Sequence, residues 1–248
     1  MDIKNSNCKG KSVGVMFLVF VACSLLSGCL YGDRIKQSGL QPTGDYVELV
    51  ENAVKLYREK TGVLPIRNKE ESVPLMERYL VDFSLLAGAG ILATPPANAF
   101  ENGGTAIYVF VRTETEPEVK LIDLVLHQQL AAIQRAVNEY ASKRKGALPL
   151  GEQVYPRMWK LDYEALNRKP EPVQSPYSEM KLNVLVTDTG QVVLDYAPEM
   201  MRIIDRDKLD PANLPQDLRE LLLDESYFVP VFSVSYRWED DQPVPDLA

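Results

Sequence analysis

The sequence predicts an α+β protein made of two tandem repeats, each a helix followed by an antiparallel hairpin, with a further helix and strand at the C-terminal end. Two segments carry apolar residues at helical spacing, VELVENAVKLYREKTGVLPI (residues 47–66) and LAAIQRAVNEYASKRKGALPL (residues 130–150). Their matching apolar positions lie 83 residues apart, and a glycine followed by Leu-Pro ends each helix. Two strand-like apolar runs then follow each helix.

The first 28 residues have the pattern of a secretory signal peptide. A basic start precedes the apolar run VGVMFLVFVACSLL (residues 13–26), which is shorter than the about 20 residues that a spanning helix needs. The segment LSGC (residues 26–29), which begins with the last residue of this run, resembles the bacterial lipobox, which implies cleavage between Gly28 and Cys29 and attachment of lipid to Cys29. An uncleaved anchor is the alternative, because tolerating the small residues and Tyr31 extends the run to about spanning length.

Either interpretation predicts that the rest of the chain lies outside the cytoplasm. With cleavage, Cys8 and Cys23 leave with the signal peptide and Cys29 carries lipid, so the mature chain has no disulfide and no cysteine-bound metal. Several acyl chains would hold the protein stably on the membrane. Residues 29–45 are polar and rich in small residues, which predicts a flexible tether.

Charge disfavours some partners. The chain has 35 acidic and 27 basic residues and a formal net charge of −8. A protein this acidic is not suited to neutralising phosphates, so nucleic-acid binding is disfavoured.

The two repeats are expected at residues 46–123 and 124–196. After each helix, YLVDFSLL (residues 79–86) matches WKLDYEAL (residues 159–166), and a proline-containing turn follows. The hairpins are AIYVFVR with VKLIDL in the first copy and KLNVLVTD with QVVLDY in the second, the latter joined by Asp-Thr-Gly. The pattern leaves open whether the copies share one sheet or form two lobes.

Residues 197–238 are expected to form a C-terminal helix and strand. LPQDLRELLL (residues 214–223) predicts a helix that begins at Pro215, and YFVPVFSVSYRW (residues 227–238) predicts a strand in which Pro230 marks an edge or bulge. The acidic tail, residues 239–248, is expected to be disordered.

Two resemblances extend this interpretation. A helix, a Gly-x-Leu-Pro turn and a small sheet resemble the globular domains of pilins and pseudopilins, although a lipobox and tether replace the prepilin helix and argue against a filament subunit. The motifs LSGCLY, VDF around Asp82, PPANAFENGG, VKLIDL and YFVPVFSVSY resemble uncharacterised YphF-type lipoproteins of spore-forming Gram-positive bacteria. The second resemblance implies a lipoprotein and implies no particular chemistry.

Candidate ligand-binding residues recur in both copies. Asp82 and Asp162 each lie between aromatic residues, so they are either paired acids or caps of short helical turns, and capping is the simpler role. Tyr79 and Trp159 are the matching aromatics. They would line a ligand groove together with Phe83, Phe100, Tyr108 and Tyr163, unless these aromatics belong to the core.

Other chemistry is weakly supported. His127 is the only histidine and is expected to be a solvated helix residue. Asn98, Glu101 and Asn102 offer too few carboxylates for calcium, and a turn is the better interpretation. The sequence has no nucleophile-elbow, zincin, P-loop or dinucleotide motif, so neither an enzyme nor a cofactor is predicted.

These observations favour a non-enzymatic lipoprotein that acts through protein contacts on the outer face of the cytoplasmic membrane. The rival is a solute-binding lipoprotein of an ABC-type transporter, with a small-molecule ligand. An enzyme is the third hypothesis and needs Asp82 and Asp162 within reach of one substrate.

Overall fold

A computed structural model describes residues 43–247 and confirms the α+β class. The predicted signal peptide, the lipid-bearing Cys29 and the tether up to residue 42 lie outside the described residues. The first helix includes residues 43–45, so the end of the predicted tether is helical. Among residues 43–247, no helix combines the length and the apolar character that crossing a membrane requires.

Each repeat consists of a long helix and a four-stranded antiparallel sheet in which the strands follow chain order. The first repeat contains α1 (Thr43–Thr61), β1 (Ile66–Asn68), α2 (Leu75–Arg78), β2 (Tyr79–Val81), α3 (Phe83–Gly88), a 3-10 turn (Phe100–Asn102), β3 (Ala106–Val111) and β4 (Glu118–Asp123). The second contains α4 (Leu124–Lys143), β5 (Leu150–Tyr155), β6 (Met158–Leu161), the small hairpin β7 (Val173–Gln174) and β8 (Lys181–Leu182), β9 (Val184–Thr187) and β10 (Val192–Leu194). The copies therefore form two sheets, and the sequence pattern detected only the second hairpin of each.

The two long helices end in the same way. Gly62 has φ +79° and Gly146 has φ +89°, the left-handed conformation that glycine adopts without a steric penalty. Their N–H groups donate to the carbonyls of Arg58 at 2.8 Å and Ala141 at 2.9 Å. The Gly-x-Leu-Pro signal is thus a helix stop in both copies.

Both faces of the first sheet are buried. On β3, Tyr108 and Phe110 pack in a cluster with the apolar face of α1, whereas Val109 and Val111 pack in the cluster that contains α4. Because side chains alternate along a strand, the continuous apolar run of β3 covers both clusters. The α4 cluster also holds second-sheet residues Val184, Val186, Val192 and Leu194. Helix α4 therefore shares one apolar core with both sheets.

The C-terminal segment differs most from the sequence prediction. Helix α5 (Ala197–Asp207) was not predicted, and the helix expected from Pro215 begins at Arg219 and ends at Glu225 (α6) after a 3-10 turn. The expected strand starts only at Ser235 (β11, Ser235–Glu239).

The acidic tail was wrongly expected to be disordered. Residues 242–246 form β12 (Gln242–Asp246), which pairs with β11 along its length. Pro243 and Pro245 are buried, and an edge position in a two-stranded sheet tolerates proline. Every second residue of this strand is buried, and this burial orders the tail although its acidic composition suggested exposure to solvent.

Residues 227–232, which we call the strap, bond to the last strand of each sheet. Leu121 of β4 donates its N–H to the Tyr227 carbonyl at 2.7 Å, and its own carbonyl accepts from Val229 at 2.9 Å. Leu194 of β10 donates to the Phe232 carbonyl at 2.8 Å. Since β4 and β10 are edge strands of their sheets, the strap pairs backbone groups that would otherwise lack a partner strand.

Two cations of the first sheet hold α6 beside the strap. Arg112 pairs with Glu118, Glu220 and Asp224. The largely buried Lys120 donates to the carbonyls of Leu223 and Ser226 at the end of α6. Basic groups at this end satisfy carbonyls that the helix leaves unpaired.

Truncation of the chain after Trp238 tests the paired tail. Loss of β12 should lower the free energy of unfolding by about 2 kcal/mol or more, because buried apolar groups and a strand ladder are lost. Denaturant unfolding measures it, with a chain truncated after Asp246 as the control. Equal stability of the two truncated chains would show that the tail is disordered, as its composition suggested.

Candidate functional site

A cavity of about 390 Å³ lies where the two repeats and the strap meet, and we call it the junction cavity. Its walls come from residues 69–77 of the first repeat, His127 and Gln134 of α4, residues 191–192 at β10, and residues 232–233. The volume is within the range of about 300–1,000 Å³ that small-molecule pockets have. Four segments that are distant in sequence therefore converge on one space.

Glu77 is the buried acid of the junction cavity. It lies in α2 and is 5% exposed. The backbone N–H of Phe232 favours the charged form of its carboxyl group, and its Oε2 lies 3.6 Å from Nε2 of His127. Burial raises the pKa of Glu77, and the charge of Lys69 and the Phe232 N–H only partly offset this effect. A carboxylate in such a place is costly unless a further partner stabilises its charge.

His127 is not the solvated histidine that the sequence predicted. Its side chain is 35% exposed and its ring packs edge-on against Phe232 with centroids 5.3 Å apart. Burial lowers the pKa of His127, and the positive charge of Lys69 acts in the same direction. The imidazole is therefore neutral at pH 7, although a carboxyl group lies beside it.

Lys69 brings a positive charge to the same cavity. Its N–H donates to the Arg78 carbonyl at 3.0 Å, and the Arg78 guanidinium holds the following loop through the carbonyls of Glu71 and Val73. Burial lowers the pKa of Lys69, while the charge of Glu77 acts against that shift. The loop is thus held in a shape that keeps a lysine at the cavity wall.

Phe232 has a strained backbone. Its φ of +52° lies in the left-handed region, which costs a residue other than glycine about 1–2 kcal/mol. Its carbonyl nevertheless accepts from the Leu194 N–H and its ring packs on His127, so contacts on both sides hold the strained conformation. Strained residues of this kind cluster at functional sites.

The cavity offers charged and polar groups without an activated nucleophile. The Ser233 hydroxyl donates to the Val234 carbonyl at 2.9 Å, and that of Ser72 lies 3.5 Å from Glu70. The amide of Gln134 accepts from the Val192 N–H at 2.7 Å and is fixed in place. Neither serine bonds to His127 in the described part of the chain, so the arrangement suits binding better than nucleophilic catalysis.

Asp82 and Asp162 are caps, as the sequence favoured. Asp82 Oδ1 accepts from the N–H of Ser84 at 2.9 Å and of Leu85 at 3.3 Å, and Asp162 Oδ1 accepts from Ala165 at 3.0 Å. The hydrogen bond from the Ser84 hydroxyl is the main cause that lowers the pKa of Asp82.

The environments of these two acids match in the two copies. The N–H of Asp82 donates to Pro65 at 2.8 Å, and that of Asp162 to Pro149 at 2.9 Å. Asp82 also borders a second cavity, of about 410 Å³, with Arg67. Each acid follows a strand of a different sheet and is engaged in its own cap, which weakens the hypothesis of one acidic pair.

The predicted aromatic groove is not formed as one surface. Phe83 and Tyr108 are buried core residues whose rings meet edge-on at 5.4 Å, whereas Phe100 is 56% exposed.

The remaining aromatics are partly buried and lie on different sheets. Tyr79 lines a cavity of about 220 Å³ with Phe110 and Arg112. Trp159 lies on β6, opposite Val186 of β9, and Tyr163 lies just beyond β6. The candidate residues Tyr79 and Trp159 therefore do not share a strand or a sheet.

The loop considered for calcium is held by protein contacts. Asn98 accepts from the Tyr108 hydroxyl at 2.7 Å, Asn102 donates to the Pro95 carbonyl at 3.0 Å, and Glu101 lies 3.6 Å from Arg67. Within residues 43–247, no group of three histidine, cysteine or acidic side chains is placed to hold a metal.

No sequence pattern indicated the junction cavity. Glu77 stands in PLMERY, where an acid between apolar residues resembles any amphipathic turn. Lys69 follows a three-residue strand that the hydrophobic pattern did not detect. A solitary histidine on a helix was the only partial signal, and its burial depends on Phe232, which lies 105 positions further along the chain.

Comparison with known proteins relates the first repeat to a family. Residues 43–123 match the model of the YphF family N-terminal domain, and this region runs from the start of α1 to the end of β4. The match supports a YphF-type protein. No curated protein and no solved structure gives a significant match to the chain.

Replacement of Glu77 tests the cost of its burial. Folding raises the pKa of Glu77 above its value in the unfolded chain, which is near 4.5. The contribution of Glu77 to stability is therefore greatest below pH 4.5, and it is lost as the pH rises through the pKa of the folded state. Glutamine does not ionise, so Glu77→Gln avoids this loss. The free energy of unfolding of the variant should therefore rise relative to that of the parent between pH 4 and pH 7, by about 1 kcal/mol in total. Denaturant unfolding at each pH measures the difference.

Glu70→Gln is the matched control for that experiment, because Glu70 is exposed in the same loop. The difference in free energy of unfolding between Glu70→Gln and the parent should not rise between pH 4 and pH 7. His127 titrates both in the parent and in the Glu77→Gln variant, so its contribution to the difference largely cancels. A constant difference between Glu77→Gln and the parent from pH 4 to pH 7 would contradict the raised pKa.

Proposed function

We propose that the protein is a membrane-anchored extracytoplasmic lipoprotein that acts as a non-enzymatic interaction module of the cell envelope. The lipobox-like LSGC at residues 26–29 supports the anchor on Cys29, and the YphF-type first repeat agrees with the lipoprotein family that its motifs resemble. In this proposal the envelope is that of a spore-forming Gram-positive bacterium. The protein lies on the outer face of the cytoplasmic membrane.

The observation that carries the interaction role is the apolar core that the two repeats share. Leu80 and Val109 of the first sheet pack in one cluster with α4 and with Val186 and Leu194 of the second sheet. An interface filled in this way does not open and close around a solute as two lobes would. It suits a rigid body that presents fixed surfaces to a protein partner.

A solute-binding lipoprotein of an ABC-type transporter is the second candidate. The junction cavity favours it, because Glu77, Lys69 and His127 face a space of ligand size at the boundary of the repeats. In this candidate the ligand enters a preformed pocket, and closure of two lobes is not required.

Cys29→Ala tests the anchor and the partner together. With the anchor lost, metabolic labelling by palmitate should vanish and the protein should leave the membrane fraction. In-cell crosslinking of the parent should recover one abundant envelope protein, and recovery should fall with Cys29→Ala. Cys23→Ala is the matched control, because Cys23 lies in the apolar run before the cleavage site and its variant should keep the label.

Labelling that persists in Cys29→Ala would refute lipid attachment at this position. Anchored parent protein that crosslinks to no partner above background would refute the interaction module and leave solute binding as the better candidate.

A further inference from the structure

We infer that the junction cavity binds a small zwitterion, an α-amino acid with an apolar side chain, whose ammonium group pairs with Glu77 and whose carboxylate pairs with Lys69. This inference rests on the second candidate function, solute binding, and names its ligand class. It depends on the placement of two opposite charges and an apolar wall within one cavity.

Lys69 and Glu77 line the same cavity, and among the described residues they form no ion pair with each other. Each acts on the titration of the other, yet the neutral imidazole of His127, 3.6 Å from the Glu77 carboxylate, does not neutralise that carboxylate. Glu77 is 5% exposed, and the Phe232 N–H only partly offsets the effect of burial on its carboxylate, so the carboxylate retains free acceptor positions. A ligand ammonium would supply the missing donor inside a partly desolvated site, where such bonds are strong.

Lys69 supplies the positive charge that would pair with the carboxylate of the ligand. Its ammonium has three donors, and Arg78 holds the backbone of its loop rather than competing for the cavity. A free amine would leave Lys69 without a partner, and a simple carboxylate would leave Glu77 without one. A zwitterion alone satisfies both charges at once.

The rest of the wall is apolar. Pro74, Val192 and Phe232 line the cavity beside the charged pair, and the neutral ring of His127 packs on Phe232. These groups would contact an aliphatic or aromatic side chain and would gain nothing from a charged one. The preferred ligands are therefore amino acids of the leucine or phenylalanine type.

The test is isothermal titration of the full chain in detergent with leucine, leucinamide and N-acetylleucine. Leucine should bind, whereas the cationic amide and the anionic acetyl derivative should each bind about tenfold or more weakly, because each leaves one protein charge unpaired. Phenylalanine and valine extend the panel, and aspartate and lysine should fail. This comparison needs no variant and so does not depend on whether a variant folds.

Two substitutions test which protein group binds each charged end of the ligand. Glu77→Gln and Lys69→Met should each weaken leucine binding about tenfold or more, while the exposed controls Glu70→Gln and Lys169→Met should not. Equal binding of leucine and leucinamide, or undiminished binding by Lys69→Met, would overturn the zwitterion.

The panel also contains a sugar, a simple amine and a simple carboxylate. These ligands distinguish failure of the zwitterion proposal from failure of solute binding as a function. Binding of one of these in place of leucine would overturn the zwitterion and keep solute binding. Binding of none of the panel would overturn both, and the crosslinked partner of the anchored protein would then decide the interaction role alone.

Discussion

The strap between residues 227 and 232 is the constraint on which the rest of this structure depends. Two small antiparallel sheets each end in a strand whose outer edge would be unpaired, and one short segment bonds to both, at Leu121 and at Leu194. Open edges invite pairing with other chains, so the same hydrogen bonds that join the repeats also protect them. The strap thus adds a hydrogen-bonded connection to the apolar core that the two repeats already share around α4.

The candidate site is a consequence of this joining. Phe232 ends the strap with a left-handed backbone, accepts from Leu194 of the second sheet, and its N–H favours the charged form of Glu77 in the first repeat. Its ring then covers His127 on α4. A buried acid, a neutral imidazole and a lysine therefore line one cavity together with the end of the strap. The buried acid and the strained backbone of Phe232 both cost free energy, and such costs are common at ligand-binding sites.

Much of the repeat was visible in the sequence, because local chemistry determines it. Gly62 and Gly146 end helices by a conformation that only glycine adopts easily, and Asp82 caps a turn through atoms two and three residues away. Strands of three residues such as β1 were missed because three residues are too few to show a period. Helix α5, in contrast, has apolar residues at helical spacing after Pro198, which is a local helix signal in the sequence.

The site was not predictable in the same way. Its lining residues come from four segments that are distant in the sequence, and no local pattern shows that these segments meet. The charged tail was misjudged for a related reason, since β12 is ordered by burial of two prolines and by pairing with β11 rather than by composition. Long-range pairing decides these features, and a single sequence shows only the local part.

Native-state hydrogen exchange of the strap amides tests most directly whether the strap makes the two repeats one unit. The amides of Leu121, Val229 and Leu194 should exchange with the same opening free energy as Val109 in the middle of β3, because all open only with global unfolding. Exchange of Val229 and Leu194 at a much lower free energy than Val109 would show that the strap opens separately, and the account of a joined pair of repeats would then be wrong.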